Sequence, residues 1–143
     1  PVVDNFASTP QMSAPQITAA IVNSLRTHPK DFYLINYANA DIVGHSGDFN
    51  ATVKAVECLD TQLKQIYEQL VVKMNGTMII TGDHGNAEKM VDEKTGQPYP
   101  GHTANKVPFI VVKNQLRQKK INLPVHELAN VASLVLKELI SQQ

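Results

Sequence analysis

The chain has 143 residues, with 13 Lys and Arg against 13 Asp and Glu, 43% hydrophobic residues and one cysteine. This length suits one hydrophobic core and hence a single domain over residues 1–143, and zero net charge argues against nucleic acid or a membrane surface as a partner. Cys58 cannot form an intramolecular disulfide, and no apolar run is long enough to span a bilayer, so we expect a cytoplasmic protein.

The first predicted element is a helix that begins after Ser13. Ser13 and Gln16 stand at the spacing of a capping box, and Pro29 marks the end of the helix. Apolar residues recur between them at intervals of four and predict one buried face: Ile17, Ile21 and Leu25.

The run DFYLINYA over residues 31–38 is short, apolar and aromatic, which favours a buried strand. A polar loop, NADIVGHSGD, follows it. Residues 49–74 then predict a long amphipathic helix that ends near Gly76. Its apolar residues, spaced by three and four, are expected to face the core: Phe49, Val53, Val56, Leu59, Leu63, Ile66 and Leu70.

Two further strands are predicted in the second half of the chain. TMIIT over residues 77–81 runs into the polar loop GDHGN, and PFIVV over residues 108–112 follows a long irregular segment at 92–107. A last helix is predicted over residues 124–140. This order predicts an α/β layered fold with a largely parallel sheet and helices on its faces. Three strands make a thin sheet, so we expect an uncovered edge and self-association.

The loops that follow the first two predicted strands carry metal-ligand residues. Asp41 and His45 lie in the first loop, Asp83 and His84 in the second, and His102 precedes the third strand. A mixed oxygen and nitrogen set suits Mn²⁺, Zn²⁺ or iron better than Mg²⁺ or Ca²⁺. The alternatives are a helix cap for the first pair, a polar turn for the second and a structural role for the last histidine.

Three segments also carry a family resemblance. INYANADIVGHSGD, TGDHGNAE and GHTANKVPF, in that order and with a long helix between the first two, resemble the cofactor-independent phosphoglycerate mutases of the alkaline phosphatase superfamily. QMSAPQIT near the start is also similar, so the resemblance covers about residues 11–112. It implies that the chain is the C-terminal portion of the metal-binding, phosphatase-like domain, and hence a partial alkaline-phosphatase-like fold.

The resemblance further implies a glycolytic isomerase that interconverts 3-phosphoglycerate and 2-phosphoglycerate through a phosphoserine at a two-manganese site. Asp41, His45 and His102 would hold one Mn²⁺, and Asp83 with His84 would belong to the second, although Zn²⁺ accepts the same ligands. Residues beside these positions are candidates for orienting the ligands: Asn39, Asn86 and Glu88.

The family takes its nucleophilic serine and a further metal-binding aspartate from an N-terminal part, and most substrate contacts from an inserted domain. These segments have no match in the 143 residues. Ser46 is the nearest hydroxyl, and we predict that it starts a helix and is not the nucleophile. The isolated chain is therefore expected to be inactive and to require the missing half as a partner.

Two other functions remain open at this stage. One is another enzyme of the alkaline phosphatase superfamily, such as a phosphopentomutase or a metal-dependent phosphatase. The segment NYANADIVGHSGD argues against a phosphopentomutase. The other is a degenerate, non-catalytic relative that binds metal or a protein partner. The retention of all five ligand positions argues against a degenerate relative whose sequence changes without constraint. It favours a fragment, a truncated product or one partner of a split enzyme.

Overall fold

A computed structural model describes residues 5–116 and 127–140. It contains four α-helices and two strands in this part of the chain: α1 (Ala14–Thr27), α2 (Asn39–Gly44), α3 (Phe49–Ile66), β1 (Met78–Thr81), β2 (Phe109–Val112) and α4 (Val131–Ile140). No helix in the two described ranges combines the length and hydropathy needed to cross a bilayer.

The predicted first helix is confirmed as α1, but its capping box is wrong. The Ser13 side chain makes no capping hydrogen bond, because its backbone (φ −99°, ψ 10°) lacks the extended conformation in which a cap side chain reaches the first turn. The Ser13 carbonyl instead accepts the Ile17 N–H at 3.0 Å. The helix ends at Thr27, two residues before Pro29.

The predicted strand over residues 31–38 is wrong. This segment pairs with no strand among the described residues, and a strand requires a ladder partner. Its tyrosines contact α1 instead: the Tyr37 hydroxyl lies 2.6 Å from Thr18 Oγ1 and the Tyr33 hydroxyl 2.9 Å from Ser24 Oγ. The aromatic residues that suggested a buried strand therefore serve to dock this segment on a helix.

The predicted polar loop after this segment is partly wrong, because residues 39–44 form α2. Asn39 fixes the start of α2 by donating to the carbonyls of Pro10 and Gln11 at 2.8 and 2.9 Å. Val43, which is fully buried, packs α2 against Ala51 and Ala55 of α3. This small core sets the position of α2 on the rest of the molecule.

The long helix is confirmed as α3 and its continuation, the π-helical turn Tyr67–Lys73. Asp48 caps its N-terminus by accepting the Ala51 N–H at 2.9 Å. At the other end, the Gly76 N–H closes the turn on the Leu70 carbonyl at 2.8 Å. The end of the helix near Gly76 thus agrees with the prediction.

The predicted core face of α3 is wrong in its first half. Phe49 is 63% exposed and Val56 is 49% exposed. The buried residues of that half are small or polar, namely Ala51, Thr52 and Ala55. The first half of the apolar stripe is therefore open to solvent in this structure, whereas Ile66 in its second half is buried as predicted.

The second and third predicted strands are confirmed as β1 and β2, but the predicted parallel arrangement is wrong for the described residues. β1 and β2 pair antiparallel, from Met78 opposite Val112 to Thr81 opposite Phe109. The reversal follows from their connection, which forms a long irregular hairpin with isolated bridges at Gly85 to Thr103 and Val91 to Pro98. The end of β1 and the start of β2 consequently lie at the same end of the sheet.

The last predicted helix is confirmed over Val131–Ile140, and its predicted start at residue 124 lies outside the described residues. α4 is tied to the end of β2 by an ion pair between Lys113 Nζ and Glu138, with both carboxylate oxygens within 2.7 Å. The Thr77 hydroxyl donates to the same carboxylate at 2.9 Å. These contacts hold α4 at the end of the sheet that lies opposite the loops that carry the histidines.

We expect the chain to self-associate as its concentration rises, because Leu34 is 87% exposed and Phe49 is 63% exposed. Sedimentation velocity should show a concentration-dependent increase in sedimentation coefficient. Phe49→Lys should reduce it, whereas Gln65→Lys, at an exposed polar position of the same helix, should not. A single monomeric species at every concentration would contradict this prediction.

Candidate metal centre

Asp41, His45 and His102 form a compact cluster of potential metal ligands. His102 Nε2 lies 3.1 Å from both His45 Nε2 and Asp41 Oδ1, and His45 Nε2 lies 3.2 Å from the same carboxylate oxygen. All three side chains are partly exposed at the surface. The structure therefore brings together residues that lie up to 61 positions apart.

The local folding of the chain explains this convergence. Asp41 and His45 stand four residues apart on α2 and the turn after it, a spacing that places side chains on one face of a helix. His102 reaches the same point because the antiparallel connection returns beside β1. The short helix that the sequence did not predict is thus what pairs the first two ligands.

The donor set fits a divalent cation. Two ligands at about 2.0–2.2 Å from one ion, at angles near tetrahedral or octahedral, stand roughly 3.0–3.5 Å apart. The three separations of 3.1–3.2 Å fall within that range. In addition, His45 Nδ1 lies 2.5 Å from the Pro100 carbonyl, which can accept but not donate. That contact places the proton on Nδ1 and directs the Nε2 lone pair of His45 into the cluster.

His84 lies at the border of this cluster, and Asp83 lies outside it. The His84 ring stacks on His102 with centroids 3.7 Å apart, and its Nε2 lies 4.0 Å from Asp41 Oδ1. Its Nδ1 is buried without a hydrogen-bond partner in the described part of the chain. The Asp83 side chain is 90% exposed, with Oδ1 3.6 Å from His84 Nε2.

The three residues expected to orient the ligands occupy different environments. Asn39 is buried and anchors α2, away from the ligand atoms. Asn86 is buried between two ligand-bearing segments: its Nδ2 lies 3.4 Å from the Gly101 carbonyl, and its Oδ1 lies against Gly44. Glu88 accepts hydrogen bonds from the loop that carries His84 and from the loop that carries His102.

The Ser46 hydroxyl is engaged at the junction between α2 and α3. It donates to the Val43 carbonyl at 2.6 Å and accepts the Asp48 N–H at 3.1 Å. Both contacts belong to the turn that starts α3, which supports the structural role predicted for this residue.

Several residues that shape the site were missed by sequence reasoning. The Pro100 carbonyl orients His45, and Thr103 and Asn105 contact Glu88. Backbone carbonyls leave no signal in a sequence. The glycines beside the ligands, Gly44 and Gly85, did offer one, because a glycine next to a ligand often marks a close approach of backbone.

Comparison with known families shows which family the chain belongs to. A family model described as the metalloenzyme superfamily matches residues 1–143. The chain belongs to this superfamily. Its metalloenzyme affiliation agrees with the ligand cluster, and the matched range includes every residue of that cluster.

Individual proteins are similar to this chain along most of its length. A 2,3-bisphosphoglycerate-independent phosphoglycerate mutase of Pseudomonas fluorescens is 47% identical over 138 residues, which cover 96% of this chain and 26% of that protein. The enzyme of the same name from Nitrosococcus oceani is 47% identical over 115 residues, covering 80% of this chain and 22% of that protein. These matches confirm the predicted resemblance to the cofactor-independent phosphoglycerate mutases.

A solved structure is similar as well. The crystal structure of Leishmania mexicana phosphoglycerate mutase at low cobalt concentration superimposes with a TM-score of 0.80 at 31% identity, covering 94% of this chain and 27% of that one. This match confirms the α/β class of the alkaline phosphatase type. The chain spans about a quarter of the length of these relatives.

Proposed function

We propose that this chain is the metal-binding portion of a cofactor-independent phosphoglycerate mutase. The observation that carries the proposal is the convergence of Asp41, His45 and His102 on one point, in a chain 47% identical to such an enzyme. The complete protein would interconvert 3-phosphoglycerate and 2-phosphoglycerate, a step of glycolysis in the cytoplasm. The zero net charge of the chain supports a small-molecule substrate over nucleic acid or a membrane.

Mn²⁺ is the ion we propose, with Zn²⁺ as the alternative that the same ligands accept. When bound, such an ion polarises phosphoryl oxygens and lowers the pKa of a nearby hydroxyl. The Asp41 carboxylate would offset part of the positive charge. His45 and His102 would each present a neutral imidazole nitrogen, and the Pro100 carbonyl would keep the His45 ring in the required tautomer.

We propose that His84 and Asp83 belong to the shell of a second ion. The stacking of His84 on His102 supports this role, because it holds a further imidazole beside the first three ligands. The position of His84 Nε2 supports it too, since this atom lies 3.6 Å from Asp83 Oδ1 and 4.0 Å from Asp41 Oδ1. Asp83, next to His84, would supply the charge of a carboxylate, and its high exposure leaves it free to turn.

The domain assignment that follows is a single partial domain over residues 1–143. The chain spans about a quarter of its relatives, and the Ser46 hydroxyl is bound to the α2–α3 turn, so the nucleophile would come from the rest of the family polypeptide. We place the segment that binds most of the substrate there too. These segments would be the chain's partner in the complete enzyme.

The purified 143-residue chain is expected to leave 3-phosphoglycerate unchanged in the presence of Mn²⁺. The physical reason is that the hydroxyls next to the ligands are engaged: Ser46 donates to the Val43 carbonyl and Thr103 donates to Glu88. Phosphorus NMR of the substrate gives the measurement, with a full-length phosphoglycerate mutase as the positive control. Formation of 2-phosphoglycerate by the chain alone would contradict the division of the site between this chain and another segment.

A further inference from the structure

The Glu88 carboxylate accepts hydrogen bonds from both loops that carry the histidines. Its Oε2 accepts the Asn86 N–H at 2.7 Å. Its Oε1 accepts the Thr103 hydroxyl and the Asn105 side-chain amide, the latter at 2.9 Å. The Thr103 hydroxyl is the main cause that lowers the pKa of Glu88, so the carboxylate is charged at neutral pH.

These contacts flank the two stacked imidazoles. Thr103 follows His102, and its N–H donates to the carbonyl of Gly85, the residue after His84, at 2.8 Å. The His84 and His102 rings lie 19° from parallel. Glu88 and the Gly85–Thr103 bridge thus join the two loops directly beside the two rings.

The space around Gly85 shows that the carboxylate is built into the loop. A Cβ at this position would stand 2.1 Å from Thr103 Oγ1 and 2.5 Å from Glu88 Oε1, so only glycine leaves room for both oxygens. Glu93 provides the contrast, because it lines the same surface cleft as Glu88 and His102 but accepts no hydrogen bond within the described residues. The close approach is therefore specific to Glu88.

We propose that Glu88 is a positioning residue, which joins the His84 loop to the His102 loop and so holds the two imidazoles stacked before any metal binds. The proposal rests on the proposed function, because the distance between these two rings affects metal binding only if both histidines are metal ligands. Glu88 itself is not a ligand in this scheme. It acts through Thr103, Asn105 and the Asn86 backbone.

Glu88→Gln tests the proposal with little change in volume. Three donors converge on the carboxylate, and glutamine offers one acceptor oxygen and one amide that is itself a donor. At least one of the two loops therefore loses its bond. Thr103→Val removes the hydroxyl donor from the other side, and Glu93→Gln serves as the matched control in the same cleft.

The first measurement uses the metal-free chain. NOEs between the ring protons of His84 and His102 should be present in the wild type and in Glu93→Gln, because the ring centroids lie 3.7 Å apart. They should be lost in Glu88→Gln and Thr103→Val, while the amide spectrum of α1 and α3 stays unchanged. Retention of these NOEs in both variants, their absence in the wild type, or global unfolding of both variants would overturn the proposal.

The second measurement is a Mn²⁺ titration of the same four proteins. We expect Glu88→Gln and Thr103→Val to bind at least about tenfold more weakly than the wild type, the usual cost of removing an outer partner of metal ligands. Unchanged affinity in both variants would also overturn the proposal. If the wild type binds no Mn²⁺ while the NOEs follow the expected pattern, the proposed function fails and the positioning role of Glu88 stands.

Discussion

His102→Ala is expected to weaken Mn²⁺ binding by about a hundredfold or more, beyond the 10–100-fold typical of outer partners. His102 Nε2 is the atom that lies 3.1 Å from both of the other members of the cluster. Its removal leaves Asp41 and His45, which are four residues apart on one turn and supply two ligand atoms. Isothermal titration calorimetry, with native mass spectrometry for the stoichiometry, measures the effect.

His28→Ala is the matched control for this experiment, because His28 is an exposed histidine at the end of α1. It should bind Mn²⁺ with wild-type affinity. One ion per wild-type chain is expected if the second ion needs ligands from outside this chain. Equal affinities for His102→Ala and the wild type would contradict the assignment of His102 as a ligand.

The elements that the sequence predicted well are those whose local pattern and tertiary environment agree. α1, β1, β2 and α3 together with its π-helical continuation lie within a few residues of their predicted bounds. Periodicity could not give the relative direction of the strands, because the apolar patterns of TMIIT and PFIVV are compatible with both parallel and antiparallel pairing. The antiparallel pairing depends on the connection between them, which lacks periodicity and reverses through isolated bridges.

The segment at 31–38 shows a limit of a different kind. An apolar, aromatic run predicts burial, but the partner that buries it comes from the rest of the fold. Here Tyr33 and Tyr37 find hydroxyl partners on α1, and Leu34 remains exposed. The same limit explains the first half of α3, where Phe49 and Val56 were expected in the core and lie at the surface.

The ligand cluster was predicted more fully than the sheet that positions it. Asp41, His45 and His102 were identified from residue type and family motif, and the structure places their ligand atoms within 4.8 Å of one another. The helical conformation of residues 39–44 was not predicted, because a six-residue helix containing Asp and Gly has little intrinsic propensity. Its stability comes from tertiary contacts, namely the Asn39 anchor and the burial of Val43.

Gly44→Ala is expected to destabilise the chain by about 2 kcal/mol, within the range of overpacking substitutions. A Cβ on Gly44 would stand 1.9 Å from Asn86 Oδ1, and both residues are buried. The intrinsic preference of helices for alanine over glycine, about 1 kcal/mol, acts in the opposite direction and is too small to offset the overlap. Urea denaturation gives the measurement, read as a shift in midpoint at constant m-value.

The double variant Gly44→Ala with Asn86→Ala separates this overlap from other effects of the methyl group. Asn86→Ala alone loses the bond to the Gly101 carbonyl and should itself be destabilising. In the double variant the oxygen that meets the new Cβ is absent, so the loss should be smaller than the sum of the two single losses by about 1 kcal/mol or more. Strictly additive losses would show that Gly44 and Asn86 do not meet, and that α2 is held against the His84 loop by other contacts.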